Sequence, residues 1–124
     1  MKSITDMSVS DVQKIQAILF DLDGTFVSGD VIKSEAYNRL EKLRNSGIKT
    51  IAVTGRPAGW CDLIARWWPV DAVVGENGAF FYKKVNKKII RDTYHPLDSL
   101  STYQNKLNSL FDKISKKYDS LTLA

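Results

Sequence analysis

Asp21 and Asp23 stand two residues apart at the end of a short, largely apolar run from Ile15 to Phe20, directly before Gly24 and Thr25. On an extended segment, side chains two apart point the same way, so the two carboxylates should face one crevice. At about 5 Å and an effective dielectric near 20, their repulsion would be roughly 3 kcal/mol. A divalent cation offsets such a pair, and hard oxygen donors favour magnesium. A proton on one carboxyl does so too, and leaves that group fit to act as a general acid. Gly24 lets the chain turn with its backbone N–H groups exposed, a geometry that accepts phosphate oxygens. Farther along, Thr54, Gly55 and Arg56 close a second apolar run. A phosphate-sized anion could then sit between a metal, backbone donors and the Thr54 hydroxyl while a carboxylate attacks it, the covalent aspartyl-phosphate route. Taken alone, Asp-x-Asp-Gly is also what a plain turn or a calcium-type loop looks like. Two such segments at successive strand ends are what point to chemistry.

The elements that must position these residues are legible in the hydrophobic pattern. Ile15–Phe20 reads as a strand covered on both faces. After the loop 24–30, Ser34 can cap a helix running to about Ser46, with Tyr37, Leu40 and Leu43 on one face and Gly47 as its stop. Residues 48–54 give a second strand. Pro57 suits the start of a helix carrying Trp60, Leu63, Ile64 and Trp67, which Pro69 ends. Residues 71–75 form a third short strand. Strand, helix, strand, helix, strand with short connections predicts an α/β fold, a doubly wound parallel, Rossmann-like sheet. Beyond Ala79 the character changes: Phe80–Lys84 and Lys88–Asp92 read as a hairpin about 85–87. A long amphipathic helix follows, with Leu100, Tyr103, Leu107, Leu110, Ile114 and Tyr118 as a packing stripe, and 120–124 reads as the start of another strand.

Composition narrows the partners. The 124 residues carry 18 basic and 14 acidic side chains, a net charge of +4, with the basic ones dispersed among acids. The densest cluster, Lys83, Lys84, Lys87 and Lys88, falls around the hairpin turn as a solvated tip, so no nucleic-acid partner is expected. No apolar stretch approaches the roughly 20 residues that span a bilayer, and no membrane partner is expected. Cys61, the one cysteine, excludes an internal disulfide and reads as a buried structural thiol; with no signal pattern at the N-terminus, a cytoplasmic setting is expected.

The segment "ILFDLDGTF" matches the first motif of the haloacid dehalogenase-like (HAD) phosphohydrolase superfamily, and "IAVTGR" resembles its second. "GENGAFFY" followed by a hairpin resembles the capped sugar-phosphatase branch, which includes sucrose-phosphate phosphatase and phosphomannomutase relatives. The likeness covers about residues 15 to 124. It implies an Mg2+-dependent phosphatase acting on a small phosphorylated metabolite, a sugar phosphate by the branch. Asp21 would be nucleophile and magnesium ligand, and Asp23 the general acid/base that also binds the metal through its backbone carbonyl. Thr54 would hold the phosphoryl oxygen with the backbone N–H groups of Leu22 and Gly55, while Arg56 and Asn77 would line the substrate mouth.

The pattern also departs from the family. The lysine that steadies nucleophile and phosphate, and the later Gly-Asp pair that completes the metal shell, have no counterpart here. The expected division is a polar leader over 1–14, the N-terminal part of a HAD core over 15–79, and the beginning of an α/β cap over 80–124. On this reading the chain is the first part of a longer phosphatase, inactive alone. The alternative is a non-catalytic fragment serving as an interaction module. In the family the nucleophile strand lies mid-sheet, so here 15–20 should become an edge, open to self-association unless residues 1–14 cover it.

Overall fold

The apolar runs become the strands of one sheet. In the computed structural model, which describes residues 3–29, 31–94 and 96–118, five strands lie in the order β1 (Ala17–Asp21), β2 (Lys49–Val53), β3 (Ala72–Gly75), β4 (Phe80–Val85) and β5 (Lys88–Thr93). β1, β2 and β3 are parallel, and β4 adds antiparallel to β3. The segments read from sequence as an α/β Rossmann-like core therefore form one, with the hairpin extending the same sheet. The chain divides into two compact units, one ending at Asp92 and one beginning at Thr93. The hairpin strands, set with the cap in the sequence reading, thus lie almost wholly in the first unit.

Residues 3–14, within the polar leader expected over 1–14, contain a 3-10 turn at Ile4–Asp6 and a single helical turn, α1 (Val9–Val12), whose cap Ser8 accepts the Asp11 N–H through its side chain. The crossover helices are α2 (Ser34–Asn45) and α3 (Ala58–Trp67). Ser34 is the first helical residue of α2, and Lys33 occupies the cap position without a side-chain bond. Gly47, at φ +85°, ends α2 in the left-handed conformation that glycine adopts without strain. Because β1, β2 and β3 follow one another in one direction, two crossovers of the same hand place α2 and α3 on the same face. The buried core sits there, built from Leu40, Cys61, Ile64 and Ala65 against Ala52, Val73 and Tyr82, which are cross-strand partners. By alternation the other face carries Leu19, Ile51, Val53, Val74 and Phe81. None of these is fully buried.

One expectation needs rotating. The buried stripe of α3 is Cys61, Ile64 and Ala65, continued by half-buried Trp68, whereas Trp60, Leu63 and Trp67 are exposed. The face is turned by about one residue, 100° of helix, from the one expected. Trp68 wins the inward position because it meets Phe26 and Tyr37, with ring centroids 5.8 and 6.2 Å away.

At the opposite end of the strands from the candidate site, Thr50 N–H donates to Asp71 Oδ2 at 3.0 Å, Lys49 Nζ donates to Asp71 Oδ1 at 3.1 Å, and the buried Thr50 hydroxyl donates to the Pro69 carbonyl at 3.0 Å. Burial pushes the Asp71 carboxyl up, but the Thr50 N–H and the Lys49 ammonium, with the Lys49 and Arg44 charges, hold it below its usual range. The hairpin closes with Asn86 and Lys87 at φ 49° and 65°, the two left-handed positions of a type I′ turn. The second unit contains α4 (Leu97–Ser115), with Tyr103, Leu107, Leu110 and Ile114 at the expected spacing but exposed, not packed as expected. The side chain of Leu100 and the strand expected over 120–124 lie outside the described residues. Among the described residues, no helix is long and apolar enough to cross a membrane.

Gly75 leaves no room for a side chain. A Cβ there would lie 2.3 Å from the tip of the Phe80 ring and 2.7 Å from Cys61 Sγ, both buried. Gly75→Ala should lower unfolding stability by about 1–3 kcal/mol, measured by urea denaturation. An unchanged midpoint would mean that the Phe80 ring moves aside freely.

Candidate active site

In an open α/β sheet, ligands bind beyond the carboxyl ends of the parallel strands. Register decides what meets there. Asp21, the last residue of β1, lies beside Val53, the last of β2, so the segment after Asp21 and the segment 54–56 leave the sheet side by side.

The loop after β1 is a tight reversal. Gly24 sits at φ 76°; its N–H donates to the Val27 carbonyl at 3.0 Å, Val27 N–H donates to the Leu22 carbonyl at 2.7 Å, and Phe26 N–H donates to the Asp21 carbonyl at 3.3 Å. Leu22 is sunk in the core, which turns the flanking Asp21 and Asp23 outward, and both are exposed. Phe26 ties the loop down between Phe20 and Trp68. Within the loop, the Thr25 hydroxyl donates to Asp21 Oδ2 at 3.1 Å. A carboxylate held at one oxygen can present the other in a fixed direction.

Asp23 is held differently. Arg56 Nε donates to both of its carboxylate oxygens at 3.0 Å, and Nη2 donates to Oδ1 as well. These bonds, with the arginine charge and a smaller contribution from the Thr54 hydroxyl, keep the Asp23 carboxyl below the usual carboxylate range. The repulsion between Asp21 and Asp23, for which a cation or a proton was the expected remedy, is relieved on the Asp23 side by a guanidinium. Arg56 in turn lies over the indole of Trp60, 4.5 Å from guanidinium carbon to ring centroid.

Thr54 is buried. Its N–H donates to the Val74 carbonyl at 2.9 Å and its hydroxyl accepts the Arg56 N–H at 3.1 Å, so it shapes the turn that aims Arg56. Residues 76 and 77 adopt left-handed φ values of 46° and 56°. Glu76 N–H donates to the Arg56 carbonyl at 3.2 Å and Asn77 N–H to the Thr54 carbonyl at 3.3 Å. A Cβ on Gly55 would come within 3.3 Å of Asn77 Oδ1, so glycine is what lets the Asn77 amide lie against this turn.

The structure thus brings Asp23, Thr54 and Arg56 into one bonded cluster, sets Asn77 on Gly55, and places Asp21 at the adjoining strand end with Thr25. Leu22, named for its backbone N–H, is fixed there by its side chain. Thr25 and Trp60 were missed as partners. The i to i+4 hydroxyl of Asp21–Thr25 was readable from the sequence; the stacking of Trp60 under Arg56 required the true helix face. Among the described residues, no three or more His, Cys, Asp or Glu side chains gather as a metal cage. The Asp21 carboxylate and Asp23 backbone carbonyl are nonetheless the hard oxygen donors that magnesium accepts, and that ion commonly completes its shell with water and substrate oxygens.

Removing the guanidinium with Arg56→Met should let the Asp23 carboxyl rise toward its unperturbed value of about 3.9, read by carboxyl-carbon NMR titration. Because the folded-state value in the native chain is depressed, the stabilisation from this pair is present at neutral pH and is lost as pH falls through that depressed value. Native chain and variant should therefore converge in stability in acid. Superimposable titrations would show that the pair does not persist in solution.

The family model of the haloacid dehalogenase-like hydrolases matches residues 18–119. Among solved structures, a phosphatase of the haloalkanoate (HAD) enzyme superfamily from Bacteroides thetaiotaomicron is similar at TM-score 0.56 and 24% identity, covering 93% of this chain and 40% of its own. A haloacid dehalogenase-like hydrolase from the same organism is similar at TM-score 0.57 and 20% identity, covering 77% of this chain and 38% of its own. At these identities the likeness is one of fold, and the chain spans about two fifths of the length of either structure. No curated protein matches the sequence. With the family match running from β1 through α4, and with the HAD-type fold, the chain belongs to the haloacid dehalogenase-like hydrolases.

Proposed function

We propose that this chain carries the nucleophile half of an Mg2+-dependent phosphomonoesterase that works through an aspartyl phosphate on a small phosphorylated metabolite, a sugar phosphate being the class that the sequence resemblance favours. The observation that supports this most is the register of β1 with β2, which sets Asp21 beside the Thr54–Arg56 turn. Asp21, oriented by Thr25, attacks phosphorus through a carboxylate oxygen, and the ester P–O bond breaks. The leaving alcohol oxygen takes a proton from Asp23, and water then cleaves the acyl phosphate to return the free carboxylate. Asp23 must first gain that proton, so Arg56 has to release it; the phosphate itself is the competing anion for the guanidinium. Asp21 and the Asp23 carbonyl would hold Mg2+, which when bound neutralises phosphoryl charge. A cytoplasmic setting belongs to the same proposal and rests on the single, unpaired cysteine.

The chain alone is expected to turn over little, for want of the later lysine and Gly-Asp pair. Supplemented with a segment of a HAD phosphatase that carries them, and incubated with a phosphate-labelled monoester and Mg2+, it should take up label as a hydroxylamine-labile acyl phosphate at Asp21, and Asp21→Asn should abolish it. Label persisting in that variant, or mapping to Asp23, would remove the assignment.

A second reading, an interaction module acting through self-association, is favoured by the position of β1. It is the last strand of the sheet, and Leu19 at its centre is 65% exposed. β1 carries no proline and no charge before Asp21 to blunt pairing with another chain. On this reading, amide exchange at Ala17, Ile18 and Leu19 slows as protein concentration rises. Rapid exchange at every concentration would leave the edge unpaired and the reading without support.

A further inference from the structure

We propose that the cavity beside the Asp23–Arg56 pair is the subsite for the organic group of the phosphoester, and that it prefers a planar or branched apolar group to a polyhydroxylated one. The inference rests on the phosphatase reading and sets an apolar leaving group in place of the sugar that the sequence resemblance favours. The cavity has a volume of about 400 Å3, within the range of small-molecule sites. Leu22, Val27 and Ile32 line it from the loop side, and Trp60 and Leu63 from α3, with Arg56 the one charged side chain among the described residues. Trp60 and Leu63 are 53% and 42% exposed although Leu22, on the same cavity, is buried. Scattered exposed apolar side chains need no explanation, but a concave group of them beside the arginine that binds Asp23 does.

The link to the ester runs through the loop and Arg56, since Leu22 lines the inner end of the cavity while the flanking carboxylates turn outward. Val27 is bridged to Asp23 in the loop. Arg56 binds the Asp23 carboxylate while its guanidinium lies over Trp60. An alcohol that leaves with a proton from Asp23 therefore departs beside this wall. Among the described residues, every other lining side chain is aliphatic or an indole. Sugar hydroxyls entering there would give up water with Arg56, of these side chains, to receive them, whereas an aryl or branched alkyl group gives up nothing and gains contact.

The test is calorimetric titration of the native chain with two phosphonates that cannot be hydrolysed, 1-naphthylmethyl phosphonate and the phosphonate isostere of glucose 6-phosphate. The naphthyl compound should bind at least about tenfold more tightly. Leu63→Gln should erase that preference and Leu63→Met should keep it, each variant checked for native circular dichroism. Equal affinities for the two ligands, or a preference that survives Leu63→Gln, overturn the subsite. Since the readout is binding without turnover, a Leu63-dependent preference alongside failure to label Asp21 would sink the phosphatase reading and leave the cavity standing. Labelling of Asp21 with no preference would do the reverse.

Discussion

The pairing of β1 with β2 is the constraint on which the remaining arrangement hangs. Parallel strands can be joined only through a crossover, so the chain must spend α2 before β2 can lie beside β1. The pairing then aligns Asp21 with Val53. A slip of one residue would carry Phe20 off the core face, where Ala52, Val73 and Tyr82 form a buried row, and would bring Asp21 toward it. The register is thus enforced by half-buried Ile18 and Phe20 on the core face beside Thr50 and Ala52, and the residues at the strand's end inherit that precision. Thr54 and Arg56 need no separate device to reach the carboxylates, because the next residues after a correctly paired β2 have nowhere else to emerge.

Arg56 is the member on which the most demands converge. Its backbone N–H is taken by the Thr54 hydroxyl, its carbonyl receives Glu76 N–H, and its guanidinium lies between the Asp23 carboxylate and the Trp60 ring. Such an arrangement keeps two adjacent acids from repelling each other, but it does so by opposing protonation of the one that the proposed reaction would use as an acid. In that proposal catalysis and ground-state order pull on the same side chain, and an incoming phosphate would resolve the conflict by offering the guanidinium a second anion.

How much of this was legible before the structure depended on how local the cause was. The strands follow from unbroken apolar runs, the end of α2 from Gly47, and the hairpin from the Asn86–Lys87 turn, all set by a few neighbouring residues. Asp21, Asp23 and Thr54 stood out because their types break those runs at strand ends. The face of α3 was misjudged because Trp60 and Trp67 are the bulkier apolar side chains, yet inward position is decided by the fit of Trp68 to Phe26 and Tyr37. The Asp23–Arg56 pair spans 33 residues and exists only once the register is known. The one-sided placement of α2 and α3 likewise follows from strand order, which composition does not contain.

Cys61 gives the molecule an internal clock. Its thiol is buried where any atom added to Gly75 would collide with it, and it donates to the Arg56 carbonyl at 3.5 Å. Burial, with the nearby charge of Glu76, pushes the thiol up and away from its reactive thiolate form. A thiol reagent can therefore reach Cys61 only when α3 parts from the end of β3. That parting also releases the backbone that carries Arg56. The rate of alkylation at this single sulfur counts how often the candidate site comes apart, with no probe having to be added to the chain.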